Sequence, residues 1–166
     1  MLPIMLNPKS LKFLLLGQGE KMVARAAKLT ELGISYKSYY PPYIKLNFAE
    51  YDVVLIVGLD EDLSGKLYHE AKAERCLVNV EDNKKYCDFF FQSFVKRGKL
   101  LISVSTGGNS PATAKIVRDK IEETFPPEWE DYMDEIAQKR IEWKAAGKSY
   151  DEVNELTKDH MKRYIT

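Results

Sequence analysis

The chain has 166 residues with 25 basic and 25 acidic side chains, and its formal net charge is therefore zero. This balance excludes the overall basic field that holds nucleic acid or an anionic membrane, and the length suffices for one well-packed core with an appendage. Two cysteines, Cys76 and Cys87, form neither a disulfide framework nor a metal-ligand pattern, which indicates a reducing, cytoplasmic protein. Met1–Leu6 is too short for a signal peptide, and no apolar run is long enough to span a bilayer.

The first half of the chain alternates strand-like and helix-like segments. Apolar runs and helix-forming composition predict four strands and two helices, with the strands at 11–16, 34–38, 53–57 and 76–80 and the helices at 21–32 and 64–73. This alternation is typical of a parallel sheet covered by helices, so the predicted fold class is α/β with a Rossmann-like N-terminal domain. Pro41-Pro42 interrupts the pattern, because paired prolines continue neither a strand ladder nor a helix.

A glycine-containing turn joins the first predicted strand to the first predicted helix. The order strand, Gly17-Gln18-Gly19-Glu20, helix is typical of the start of a dinucleotide-binding unit. Glycine lets a pyrophosphate approach the backbone, and a helix N-terminus favours its charge. Met22 replaces the third glycine or alanine of the usual pattern. Similar turns also occur without a ligand, and Lys21 could either screen a pyrophosphate or face solvent.

Polar side chains follow two other predicted strands. Asn79–Asn83 places carboxylates and carboxamides at the end of the fourth strand, where open α/β sheets bind their ligands. Ser105-Thr106-Gly107-Gly108 lies between an apolar strand at 100–104 and a helix that begins at Ser110-Pro111, with Ser110 as its N-cap. Hydroxyls, glycine amides and a helix start together suit the acidic groups of a ligand. The alternatives are a structural strand-to-helix turn and, for Asp82, a turn-forming role.

The middle and the end of the chain differ in predicted structure. Residues 89–99 resemble a hairpin strand that turns at Gly98, and everything after Ala112 is predicted to be helical. Pro126-Pro127 separates one helix from the next. A last helix is predicted to begin at Ser149, where Glu152 completes a capping box, and to continue towards Ile165. The final two helices are expected to pack on the body of the protein or on a partner subunit.

The motifs together resemble those of a known family. They occur in the order Asn79-Val80-Glu81-Asp82, Cys87-Asp88-Phe89, Arg97-Gly98 and Ser103–Pro111, followed by a helix. This order is similar to that of the precorrin-2 dehydrogenase family, which includes the N-terminal domain of siroheme synthase and the bifunctional dehydrogenase–ferrochelatases. The opening Leu2-Pro3-Ile4, with the strand and glycine turn that follow, is similar to the start of that family.

The resemblance implies an NAD-dependent oxidoreductase of siroheme biosynthesis, which oxidises precorrin-2 to sirohydrochlorin. Insertion of ferrous iron is a further activity of some members. Asp82 is implied as the catalytic residue, which would accept a proton or orient the pyrrole nitrogens. The resemblance implies that polar and glycine residues bind the carboxylates of the tetrapyrrole, namely Asn79, Ser105, Thr106, Gly107, Gly108 and Ser110. It implies that NAD is bound where the first and third strands end, by Gly17, Gln18, Gly19, Glu20, Lys21, Gly58 and Leu59.

The family also implies a homodimer, in which a partner would cover the aromatic residues of 89–94. We therefore divide the chain into a Rossmann-like NAD-binding domain (1–80), a dimerisation and substrate-site segment (81–125) and a helical C-terminal region (126–166). We expect the loop bearing Asp82 to face the loop bearing Thr106 across one crevice. Glu81 is expected to point away from Asp82 if the strand alternation continues.

Departures from the family pattern leave alternatives open. The second strand ends in Tyr36-Lys37-Ser38-Tyr39 without the acidic residue that usually binds an adenosine ribose, so NADP is an alternative to NAD. The interval between Ser38 and Val53 is short, and Gly58-Leu59-Asp60-Glu61 replaces the family's Ala-Thr-Asp-Asp. The alternative function is therefore that of a degenerate member, acting as a non-redox tetrapyrrole carrier or as a chelatase only.

Overall fold

The computed structural model describes residues 2–43 and 46–165 of the chain. The chain divides into two compact units, Met1–Phe90 and Phe91–Thr166. Within the described residues, no helix combines the length and the apolar character needed to cross a membrane.

The first unit is an α/β unit built on a parallel sheet. Its strands and helices are, in chain order, β1 (Phe13–Gly17), α1 (Gly19–Glu31), β2 (Tyr36–Tyr39), β3 (Val53–Val57), α2 (Glu61–Ala73) and β4 (Leu77–Val80). The strands are hydrogen-bonded in the order β2-β1-β3-β4, and each neighbouring pair is parallel. The predicted α/β fold class and the predicted parallel sheet are confirmed.

The core of the first unit lies on both faces of the sheet. Every residue of β1 and β3 is buried, which explains their continuous apolar sequences, because a strand covered on both faces has no polar side to alternate with. Side chains that contact α2 form one cluster around Leu14, Leu16 and Ile56. Met22 and Leu29 of α1 pack on the opposite face, and Met22 is only 1% exposed. The methionine in place of the usual small residue is therefore part of the core.

The second unit combines a hairpin with helices. Its elements are β5 (Ser93–Arg97), β6 (Leu100–Val104), α3 (Pro111–Thr124), α4 (Trp129–Ala145) and α5 (Tyr150–Met161). β5 and β6 are antiparallel and turn at Gly98, whose φ is +54°, as predicted. Ser110 caps α3 by accepting a hydrogen bond from the Thr113 backbone N–H. The predicted capping box of Ser149 and Glu152 at the start of α5 is confirmed.

Several predicted boundaries are wrong, among them the start of the second helix, which was expected at Ser64 but is at Glu61. The hairpin strand was expected to begin at Phe89 but begins at Ser93, because hydrogen bonds to β4 hold the chain before it. The Asp88 backbone N–H donates to the Val78 carbonyl at 2.8 Å, and the Asp88 carboxylate accepts from the Val78 N–H at 2.8 Å. The last helix ends at Met161 and does not continue towards Ile165.

Candidate functional site

The ends of β1 and β3 approach each other more closely than side chains would allow. A Cβ on Gly17 would lie 2.2 Å from the Val57 carbonyl oxygen, and a Cβ on Gly58 would lie 2.3 Å from the Gln18 carbonyl oxygen. The Gln18 backbone N–H also donates to the Val57 carbonyl, at 3.3 Å. Gly58 has a φ of +64°, and Gly19, at the start of α1, has a φ of +69°. These glycines form an open cradle of backbone at the edge where parallel sheets bind ligands.

The start of α1 is suited to an anion. Gln18 is the N-cap residue, but its side chain makes no capping hydrogen bond. By contrast, the N-cap Asp60 of α2 accepts a hydrogen bond from the Leu63 N–H at 2.8 Å. The first-turn N–H groups of α1 thus donate no hydrogen bond to the Gln18 side chain, and such groups bind phosphate well because of the helix dipole.

A tyrosine that the sequence did not identify lies beside the glycine cradle. The Tyr43 hydroxyl is buried close to the backbone of Gly17, yet it makes no regular hydrogen bond within the described residues. Burial raises the pKa of Tyr43 to about 12, and the Gly17 backbone offsets this only in part. A buried polar atom without a partner is rare in folded proteins. Tyr43 follows the two prolines in a short connection without periodicity, so no sequence pattern indicated it.

An open hollow of about 550 Å³ adjoins the start of α1. Gly19, Glu20, Val23 and Ala24 of α1 line it together with Tyr40, which follows β2. Its volume is in the range of small-molecule sites. The cradle, the start of α1 and this hollow together fit a dinucleotide. The cradle and the helix start leave room for a pyrophosphate, and Tyr40 offers an aromatic contact in the hollow.

Asp82 lies directly beyond β4 and contacts the start of α1. Its backbone is in the left-handed region with a φ of +62°, a conformation that aspartate adopts more readily than most residues. Its carboxylate accepts a hydrogen bond from Lys21 Nζ at 2.5 Å. This hydrogen bond and the charge of Asp82 raise the pKa of Lys21. The structure therefore joins a predicted catalytic residue to a predicted cofactor residue, which the sequence indicated only as separate residues.

Glu81 forms a second ion pair with the same helix. Arg25 donates to Glu81 Oε1 at 3.0 Å, and the two side chains are only 16% and 22% exposed. Glu81 Oε2 is buried without a hydrogen-bond partner in the described part of the chain. The expected strand alternation does not continue past Val80, because Asp82 takes the left-handed conformation, so Glu81 and Asp82 both reach α1. No sequence pattern indicated this pair.

Asn79, a predicted substrate residue, is buried in β4. Its amide donates to the Phe89 carbonyl at 2.8 Å and to Cys87 Sγ at 3.5 Å. Burial raises the pKa of the Cys87 thiol, and the thiol donates to the Val80 carbonyl at 3.1 Å. These contacts fix the chain that follows Asp82.

The predicted substrate loop of the second unit is tied together by its own hydroxyls. Thr106 Oγ1 donates to the Ser110 carbonyl at 3.1 Å and accepts from the Ser110 N–H at 3.2 Å. Ser105 Oγ accepts from the Gly107 N–H at 3.2 Å. Gly107 and Gly108 have φ values of +63° and +75°, which favour glycine. Asp82 belongs to the first unit and Thr106 to the second, and their common crevice stays a prediction, as does the substrate-binding role of this loop.

Two family models match the chain. Residues 34–93 match a family described as NAD(P)-binding, and residues 97–124 match the family described as sirohaem biosynthesis protein central.

Curated relatives are similar to most of the chain. The siroheme synthase of Nitrosococcus oceani is 30% identical over 145 residues, which is 75% of this chain and 31% of the relative. Siroheme synthase 1 of Klebsiella pneumoniae is 40% identical over 77 residues, which is 45% of this chain and 16% of the relative. The siroheme synthase of Buchnera aphidicola is 28% identical over 90% of this chain and 35% of its own length. The chain thus spans at most about a third of the length of these relatives.

A solved structure shares the fold. It is described as SirC, precorrin-2 dehydrogenase, and it superposes with a TM-score of 0.74 over 96% of this chain and 88% of its own length. The sequence identity is 16%, so this likeness supports the fold assignment.

Proposed function

We propose, from the premise that this chain belongs to the siroheme biosynthesis family, that it oxidises precorrin-2 to sirohydrochlorin with a nicotinamide cofactor. One observation carries the proposal. The Lys21–Asp82 ion pair connects the start of α1, which fits a dinucleotide, with the carboxylate that matches the family's aspartate. A hydride-accepting cofactor and a proton-accepting carboxylate are the two groups that such an oxidation requires.

In this reaction the substrate loses one hydride and one proton. The nicotinamide ring, when bound, supplies the hydride acceptor. The α1 amides that follow Gln18 would bind the pyrophosphate, and Gly17 and Gly58 let the strand ends beside this turn approach closely. Asp82, whose side chain is 74% exposed, is accessible to a large substrate and accepts the proton. Hydroxyls and amides of 105–110 bind the carboxylates of the macrocycle.

We propose NAD as the preferred cofactor. Glu20 lines the hollow beside Tyr40, and none of the described residues that line it is basic. A carboxylate accepts hydrogen bonds from ribose hydroxyls and repels a phosphate on the same ribose. Lys37, a basic residue in the strand end that lacks the usual acidic residue, lies in β2 and does not line the hollow.

We also propose that the protein acts as a homodimer through residues 81–125. Large apolar side chains of this segment are exposed, namely Phe90, Phe91, Leu101, Ile116 and Val117. We propose that these side chains belong to the dimer interface, since exposed apolar patches are typical of protein interfaces. The division into a cofactor domain (1–80), this segment and a helical region (126–166) is part of the same proposal, as is a cytoplasmic location.

The test is an assay of the purified protein with precorrin-2 and NAD⁺. We expect NADH and sirohydrochlorin to form in equal amounts. Asp82→Asn should keep the native circular dichroism spectrum but lower turnover by at least about 100-fold, the usual contribution of a positioned proton acceptor. Asp159→Asn is the matched control, because Asp159 is also an exposed, lysine-paired aspartate, and it should retain activity.

The outcomes separate the alternatives. No NADH, and no change when NADP⁺ is added, rejects the dehydrogenase. Titration then distinguishes the other functions, since a carrier binds sirohydrochlorin without either cofactor, and a chelatase inserts metal with no cofactor present. An Asp82→Asn variant with normal turnover would remove Asp82 from the mechanism.

A further inference from the structure

Helix α1 contacts the loop after β4 through two ion pairs that differ in exposure. The Lys21 and Asp82 side chains are 56% and 74% exposed. The Arg25 and Glu81 side chains, one turn further along the helix, are 16% and 22% exposed. A pair that is open to water contributes little and exchanges partners easily, whereas a largely buried pair is costly to break. The buried pair is therefore suited to hold the loop in place while the exposed pair rearranges.

Lys21 is placed to contact two different anions. It lies in the first turn of α1, two residues after Gly19, and this turn fits the pyrophosphate of a dinucleotide. Its ammonium now contacts the Asp82 carboxylate at 2.5 Å. A pyrophosphate carries two negative charges and several acceptor oxygens, so it competes effectively with a single exposed carboxylate.

We infer that Lys21 is a positioning residue shared between Asp82 and the cofactor, so that cofactor binding draws the ammonium away and leaves the Asp82 carboxylate unpaired. This inference rests on the proposed function. The cofactor then binds before the carboxylate becomes available to accept a proton, which orders the two events. Arg25 and Glu81 keep the loop at its position throughout, because their pair does not involve the cofactor turn.

The test is a double-mutant cycle on the affinity for NAD⁺, measured by calorimetry at low salt. Asp82→Asn should tighten NAD⁺ binding about threefold, since Lys21 no longer has a competing partner. Lys21→Met should weaken binding. In the Lys21→Met background, Asp82→Asn should change the affinity very little, and high salt should reduce all these differences.

A control separates this effect from a general loss of negative charge. Glu31 pairs with Lys28 at the other end of α1, so Glu31→Gln should leave NAD⁺ affinity unchanged. The inference is overturned if Asp82→Asn leaves the affinity unchanged, or if it tightens binding equally with and without Lys21. If the wild-type protein binds neither NAD⁺ nor NADP⁺, the proposed function itself fails, which is a different result.

Discussion

The closest approach in the glycine cradle gives a sharp prediction for Gly17→Ala. The added Cβ would lie 2.2 Å from the Val57 carbonyl oxygen and 2.6 Å from the Val57 Cγ2 atom. The carbonyl is backbone, so it cannot rotate away, and β1 must separate from β3 at this end. Overpacking of this kind costs about 1–3 kcal/mol, and weakening the Gln18–Val57 hydrogen bond costs about 1 kcal/mol more. We expect a loss of about 2–4 kcal/mol in the free energy of unfolding.

Two other glycines provide matched controls. Gly19 and Gly33 both have a φ of +69°, and a Cβ on either would meet nothing within 4 Å. Alanine at either position therefore costs only the left-handed backbone strain, about 1–2 kcal/mol. Gly19→Ala should also weaken NAD⁺ binding because Gly19 belongs to the cradle, whereas Gly33→Ala should not.

Hydrogen exchange of peptides covering β1 and β3 measures these losses within the first unit. Calorimetry with NAD⁺ measures the binding of the same variants. If Gly17→Ala costs no more stability than Gly33→Ala, the close approach of the two strand ends is refuted. If Gly19→Ala and Gly33→Ala bind NAD⁺ equally well, the assignment of the cradle to the cofactor is refuted.

Two further predictions concern charged side chains. Arg25→Met should lower the free energy of unfolding by about 1–3 kcal/mol, because it leaves the largely buried Glu81 carboxylate without its cation. Lys28→Met should lower it by under about 0.5 kcal/mol, because the Lys28–Glu31 pair is exposed. Equal losses of protection in hydrogen exchange of α1 would contradict this. Hydrogen bonds from Lys148 and then from the Ser149 backbone lower the pKa of Glu152 from 4.5 to about 2. Because the folded-state pKa is depressed, the ionised Glu152 stabilises α5 above pH 4.5, and this stabilisation is lost as the pH falls towards 2. Glu152→Gln should remove that pH dependence of the helical circular dichroism signal, and an unchanged acid transition would contradict the assignment.

The strands could be predicted because the sequence features that indicate them are local. β3 and β6 have the predicted bounds, since each is a short apolar run that ends at polar or glycine residues. The capping box at Ser149 involves residues three apart, and such spacing is visible in a sequence. Phe89 and Phe90 also favour a strand locally, but the hydrogen bonds that Asp88 and the Phe89 carbonyl make with β4 hold the chain in another conformation.

The contacts of the candidate site were less accessible to sequence reasoning. The Lys21–Asp82 and Arg25–Glu81 pairs join residues 61 and 56 positions apart. The Lys21–Asp82 pair also depends on the left-handed backbone at Asp82, which no residue pattern specifies. The position of Tyr43 depends on a shortened connection that matches no regular element. Local residue types therefore indicated the chemistry, while long-range packing determines which groups meet.

The hydrogen bonds of Asp88 have a consequence for assembly. β4 is the last strand of its sheet, and an outer strand normally offers unpaired backbone groups to other chains. Here the N–H and carbonyl of Val78 are both occupied by Asp88, and Lys72 binds the same carboxylate at 2.8 Å. Asp88, through its backbone N–H and its carboxylate, thus takes the place of a fifth strand at Val78 and protects this part of the edge against aggregation by strand addition.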